Sequence, residues 1–77
     1  MSWVVVQFAE CREVFIDDQN QGDNVDAQGR LNPLLVNAGT HTFTLGGAPN
    51  FAPPSQTLLV PEVSIGTPFS VIFAKTA

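Results

Sequence analysis

Residues 36–45 read VNAGTHTFTL. From Thr40 onward, threonine alternates with a larger side chain. Thr40, Thr42 and Thr44 fall on one side, and His41, Phe43 and Leu45 on the other. A period of two marks a strand with one wet and one buried face, whereas a helix would repeat about every 3.6 residues. Threonine, polar and β-branched, suits the wet face. Gly39 gives the chain its turn into the run. The stretch predicts a strand over 40–46, THTFTLG, that points His41, Phe43 and Leu45 inward.

The same period recurs on both sides of it. Residues 3–8, WVVVQF, place Val4, Val6 and Phe8 on one face. Residues 13–17, EVFID, place Val14 and Ile16 on one face and Phe15 on the other. Residues 56–60, QTLLV, and 68–74, PFSVIFA, predict two more strands, the last with Phe69, Val71 and Phe73 together. Residues 31–36, LNPLLV, are extended, but Pro33 has no N–H to give a ladder. That run is an edge strand or joins a sheet only after Pro33. Between the runs lie a polar turn, DDQNQGDN, a glycine turn, AQGR, and a long turn, GGAPNFAPP. No segment longer than about seven residues has helical periodicity. The fold class predicted is all-β, a small antiparallel β-sandwich of about seven strands forming one domain over 1–77. Its expected core is Val4, Val6, Phe8, Val14, Ile16, Phe43, Leu45, Leu58, Val60, Phe69, Val71 and Phe73.

Composition narrows the function. Charged residues make up 13% of the 77 residues, and hydrophobic ones 44%, which excludes a disordered chain. Three cations, Arg12, Arg30 and Lys75, stand against seven carboxylates, for a net charge of −4. Three scattered cations make no basic stripe, so neither nucleic acid nor an anionic membrane surface is an expected partner. No stretch has the length of a membrane span, and none inserts on this reading. The start, MSWVVVQFAECREVF, lacks the basic region of a secretory signal, so the cytoplasm is the compartment expected by default. One cysteine, Cys11, leaves no disulfide within the chain.

Two segments together, VFIDDQNQG (14–22) and VNAGTHTFTL (36–45), resemble PEGA-type domains. These are small bacterial β-sandwich modules, similar in shape to immunoglobulin-like and carboxypeptidase-regulatory-like domains. Val14, Ile16 and Asp17 match the family's first strand and turn, and Gly22 its second glycine. Ala38, Gly39 and His41 match the glycine-x-histidine pattern that opens the second strand. Asn50-Phe51 stands where the family usually has Gly-Tyr, Asp18 where it prefers Gly, and Asn24 where it prefers Pro. The likeness spans about 13–75. It implies an accessory, non-catalytic role, often outside the cytoplasm, and a structural motif made of Asp17, Gly22, Gly39 and His41.

The residues that could carry chemistry are few. His41 lies in phase with Phe43 and Leu45 near a strand end. A ring packed on the core rim, with one nitrogen bonded to a loop carbonyl, accounts for it. A zinc site needs three or four donors, and the chain has one His and one Cys. Asp17, Asp18, Asp23 and Asp26 form its one concentration of acid and are the candidate calcium ligands. The helix–loop–helix calcium pattern fails: counted from Asp18, Gly22 takes the fifth position and no Glu follows at the twelfth. Turn chemistry is the preferred account of the Asp and Asn content, since both residues bond their own backbone and tolerate left-handed conformations. Cys11 lies between Glu10 and Arg12, and Glu10 and Glu13 oppose the one charge that would activate its thiol. No serine lies in a nucleophile elbow, and no phosphate loop exists. Nothing argues for an enzyme or a cofactor.

The remaining signal is apolar. With the expected core inward, Trp3, Val5, Phe15, Leu35, Leu59 and Ile72 fall on opposite faces, where soluble antiparallel sheets are usually polar. Six large apolar side chains on so small a surface either mark an interface or are covered in part by loops such as 46–54. The expected function is a non-catalytic interaction or structural module acting through sheet faces, edges and loops. A protein partner is expected, a second copy of the chain being the simplest. The alternative is a calcium- or carbohydrate-binding accessory module that uses the 17–26 and 46–54 loops.

Overall fold

Three consecutive valines, stiff at χ1, favour an extended backbone at the start of the chain. They lie in β1 (Ser2–Gln7), the central strand of a three-stranded sheet. The computed structural model describes residues 1–76 and shows no helix among them. The other strands are β2 (Glu13–Ile16), β3 (Gln19–Asp23), β4 (Leu34–Val36), β5 (Gly39–Leu45), β6 (Phe51–Ala52), β7 (Gln56–Val60), β8 (Phe69–Ile72) and β9 (Ala74–Lys75). One sheet has the order β4-β1-β8 and a second the order β3-β2-β5-β7, while β6 and β9 form a two-residue pair. The expected β-sandwich is present, with one difference: β1 and β8 run parallel, Val4 opposite Phe69 and Val6 opposite Val71. The first and last long strands thus close the smaller sheet side by side.

The two sheets bury their facing side chains against each other. Val4, Val6, Leu34, Val36 and Val71 come from the smaller sheet, and Val14, Ile16, Phe43, Leu45 and Val60 from the larger, with Phe73 beside them. Phe8, Leu58 and Phe69, expected inside, are half-buried against this cluster. Leu34 and Val36 join it because β4 begins directly after Pro33, which puts Leu35 alone on the outer side. The shortest dimension, 18 Å, suits two sheets packed about 10 Å apart with a layer of side chains outside each.

Two expectations need correction. The polar stretch after β2 is not one long turn. Only Asp17 and Asp18 turn, with φ of 52° and 66°, the conformation of a two-residue type I′ hairpin. The chain then returns as β3, paired with β2, all five of its residues exposed. A register slip between Glu13 and Phe15 marks a bulge, and Gly22 supplies a φ of 100° beside it. The long 46–54 turn likewise contains β6, which pairs with β9.

Candidate functional site

On the outer face of the smaller sheet, β1 presents Trp3, Val5 and Gln7. Trp3 stands opposite Leu35 of β4, Val5 opposite Ser70 of β8, and Gln7 opposite Ile72. Leu35 is 43% exposed and Ile72 62%. Trp3 is half-buried. Val5 is only 4% exposed, which removes it from the expected interface. Its short side chain stands on the central strand, between Trp3 and Gln7 along β1 and opposite Ser70 of β8. Gln7 Nε2 donates to Ser70 Oγ at 3.4 Å, a polar pair between the apolar ends of the face.

Phe15 and Leu59 belong elsewhere. They stand on the outer face of the larger sheet, Phe15 opposite Thr44 and Leu59 opposite Thr40. The six expected interface residues are therefore not one patch. Phe15 is half-buried because its ring lies over Gly46, where a Cβ would come within 3.1 Å of it. Leu59 is 72% exposed on the edge strand β7.

His41 and Asp17 meet at the end of the β2–β3 hairpin. His41 Nδ1 lies 2.6 Å from Asp17 Oδ2, and Nε2 lies 2.6 Å from the Asn37 carbonyl. Both partners are acceptors, so a ring that satisfies both carries two N–H groups and a positive charge. The Asp17 carboxylate and the Asn37 carbonyl accordingly raise the His41 pKa above its usual value. Asp17 is held below the usual carboxylate range, first by the Thr42 N–H, which donates to Oδ1 at 2.9 Å, and then by His41. The ring edge also packs on Phe43, centroids 6.4 Å apart. A cleft of about 270 Å³ opens here between the sheets, with Ile16, Asp17 and His41 on one side and Leu35 and Val36 on the other. While doubly protonated, the ring has no lone pair for a metal or for proton abstraction. Cys11 precedes β2 and Asp17 follows it, so thiol and imidazole sit at opposite ends of that strand.

A second polar network lies at that other end of β2. The Arg12 guanidinium donates to the carbonyls of Gly46 at 3.2 Å and Ala48 at 2.9 Å, and to Asn50 Oδ1 at 2.8 Å. It pairs with Glu10 and lies 5.4 Å from the centre of the Phe8 ring. Lys75 Nζ reaches Glu10 at 3.2 Å. Arg12, then Lys75 and Asn50, push the Glu10 pKa down to about 2. One guanidinium, with five donors in a fixed fork, thereby fastens the 46–50 loop to the sandwich. Beneath it Asn24 is fully buried. Its Oδ1 accepts from the Arg12 N–H at 2.8 Å, and its Nδ2 donates to the Glu10 carbonyl at 3.0 Å.

The acidic stretch is divided among separate tasks. Asp17 serves His41 and Thr42. Asp26 Oδ1 accepts from the N–H groups of Gln28 and Arg30, and Oδ2 from Arg30 Nε at 3.2 Å. Asp18 stands exposed in the turn, and Asp23 exposed at the end of β3. No group of three or more His, Cys, Asp or Glu side chains is placed to share a metal ion among the described residues. Sequence reasoning did not find the roles of Arg12, Glu10 and Asn24. Their only signal was the oddity of a lone arginine flanked by acids. Comparison of the chain with protein-family models, with curated proteins and with solved structures gives no match.

Proposed function

We propose that this chain is a non-catalytic interaction module, of the accessory kind its resemblance to PEGA-type domains implies, and that it docks a protein partner on the outer face of the three-stranded sheet. The observation that carries this is the exposure of Leu35, beside Trp3 at one end of the face, and of Ile72, beside Gln7 at the other, at outward positions where such sheets are usually polar. One further feature supports it. Both nitrogens of the only histidine are bonded within the fold. The resemblance itself rests on Asp17 and Gly22, in and after the turn that follows β2, and on Gly39 and His41 at the start of β5.

The test is a photo-crosslinking amino acid placed in living cells at position 35 or 72, with position 28 in the exposed AQGR turn as control. Discrete protein adducts from 35 and 72, and none from 28, are the expected result. A folded, labelled chain that gives no adduct from either outer-face position overturns the reading.

A further inference from the structure

Four edge strands bound the two sheets: β4 and β8 on the smaller, β3 and β7 on the larger. An edge strand offers unpaired N–H and C=O groups to any other strand, and proteins ordinarily blunt it with charge, proline, bulges or brevity. Three of these edges are blunted. β4 is three residues long and directly follows Pro33. β3 carries Asp23, follows the Asp17–Asp18 turn and is bulged against β2. β8 follows Pro68, and the Gln56 side-chain amide occupies the Ile72 carbonyl at 2.7 Å.

β7 has none of these devices across its length. Gln56–Val60 is QTLLV, with neither charge nor proline among its five residues, although Pro61 directly follows it. Its pairing with β5 runs unbroken through five residues, from Gly39 opposite Val60 to Phe43 opposite Gln56. Thr57 is exposed and Leu59 is 72% exposed. We infer that β7 is the site at which a second copy of this chain adds, antiparallel and two-fold symmetric, joining the two larger sheets into one of eight strands.

Charge permits a second copy as the occupant at β7 and opposes one at β3. Two chains of net charge −4 repel unless their carboxylates stay apart. Glu13, Asp17, Asp18 and Asp23 lie on the β2–β3 hairpin, at the far edge of the β3-β2-β5-β7 sheet. The three strand spacings from β3 to β7, about 4.8 Å each, hold them away from the seam in each copy. Pairing through β3 would instead bring these acids face to face. Glu62, just beyond β7, is paired with the N-terminal ammonium at 3.0 Å. The strand is also self-complementary. Antiparallel pairing centred on Leu58 sets Thr57 opposite Leu59 of the second copy, and Gln56 opposite Val60. Both copies then present the same neutral strand, as an isologous contact requires.

The test is solution mass by light scattering over rising concentration, with two double variants, T57K/L59K and T57E/L59E. Both positions are exposed, so the fold tolerates them. The wild-type chain should reach twice its 8.2 kDa. Each variant alone should stay at the single-chain mass, and an equal mixture of the two should regain the doubled mass, because unlike charges then face each other across the seam. Amide exchange at residues 56–60 should slow with concentration in the wild type only. Leu35→Ser or Ile72→Ser should leave the doubled mass intact, which separates this contact from the partner face proposed above. A wild-type chain that stays single at several hundred micromolar overturns the inference. So does a doubled mass that survives both charged variants, and so does one lost on Leu35→Ser or Ile72→Ser. Protection of 56–60 that arises only with a foreign protein makes that protein, not a second copy, the occupant.

Discussion

His41 has both ring nitrogens occupied, and its charge follows from its partners. One partner is a carboxylate and the other a carbonyl. The imidazolium satisfies both, while the neutral ring must leave one bare. Stability should therefore depend on pH in a stated direction. The His41 pKa is raised above 6.5, so its contribution is complete below 6.5 and is lost as pH rises through the folded value. The Asp17 pKa is depressed below 3.8, so its contribution is present above 3.8 and is lost as pH falls through the folded value. The pair supports the fold most between these limits. Glu10, pushed down to about 2 by Arg12, also weakens the fold when acidified, so the alkaline limb is the cleaner measure of His41. Urea midpoints from pH 5 to 9 should fall as pH rises past 6.5 in the wild type, and His41→Gln should flatten that limb. A wild-type midpoint that does not fall as pH rises past 6.5, or an equal fall in both proteins, contradicts the charged-ring reading. The sequence placed His41 correctly on the inner rim, since its phase with Phe43 and Leu45 is local. It also called for a loop carbonyl as a ring partner, four residues away at Asn37. The other partner, Asp17, is 24 residues distant, and no local pattern names it. Asn24 was hidden for the same reason: its amide bridges two backbones that the sequence does not show to be neighbours.

At the scale of the strand, legibility follows one-sided burial. β1, β5 and β7 each have an apolar side and were readable to within a residue, because only the correct phase hides Val4, Phe43 or Val60. β3 has no apolar residue and no buried one. It exists because its turn aims it back along β2, and because the Asn20 amide binds Glu13 and Asn20 Oδ1 accepts the Gly22 N–H at 2.8 Å. Alternation carries no information in such a strand. The turn was masked as well. Type I′ loops favour Asn-Gly or Asp-Gly, and here Asp18 holds a φ of 66° without being glycine. A left-handed conformation costs a non-glycine residue roughly 1–2 kcal/mol, less for Asp than for most. Asp18→Gly should thus raise stability by about 0.5–1 kcal/mol, read as a higher urea midpoint with an unchanged slope. No gain, or a loss, would show that the Asp18 side chain contributes something that offsets its backbone strain.

For the whole molecule, the governing fact is how little interior there is. A chain of 77 residues has a total stability of about 4–12 kcal/mol at the usual 0.05–0.15 kcal/mol per residue. No disulfide supplements it, since Cys11 is the only cysteine. The smaller sheet closes by pairing β1 with β8, joining the two ends of the chain at full loop-closure cost. The return comes from apolar contact between the sheets, and Phe43 is the largest side chain wholly removed from water. It stands between Ile16 on β2 and Gln56 on β7, the neighbours it meets across the strands. Truncation of a buried phenylalanine costs about 3–5 kcal/mol, most of what a domain this size has to lose. Phe43→Ala should abolish a cooperative thermal transition by circular dichroism, or bring it near room temperature. Leu59→Ala, at an equally apolar position but on the wet face, should move the midpoint by no more than about 0.5 kcal/mol allows when measured at concentrations where the chain is single. The sequence alone separates these two residues only through phase, and the pair of variants tests that phase directly. Equal losses would mean that the larger sheet is buried on both faces. A cooperative Phe43→Ala protein that loses under about 2 kcal/mol would mean that the cavity collapses and the core is not centred where the two sheets meet.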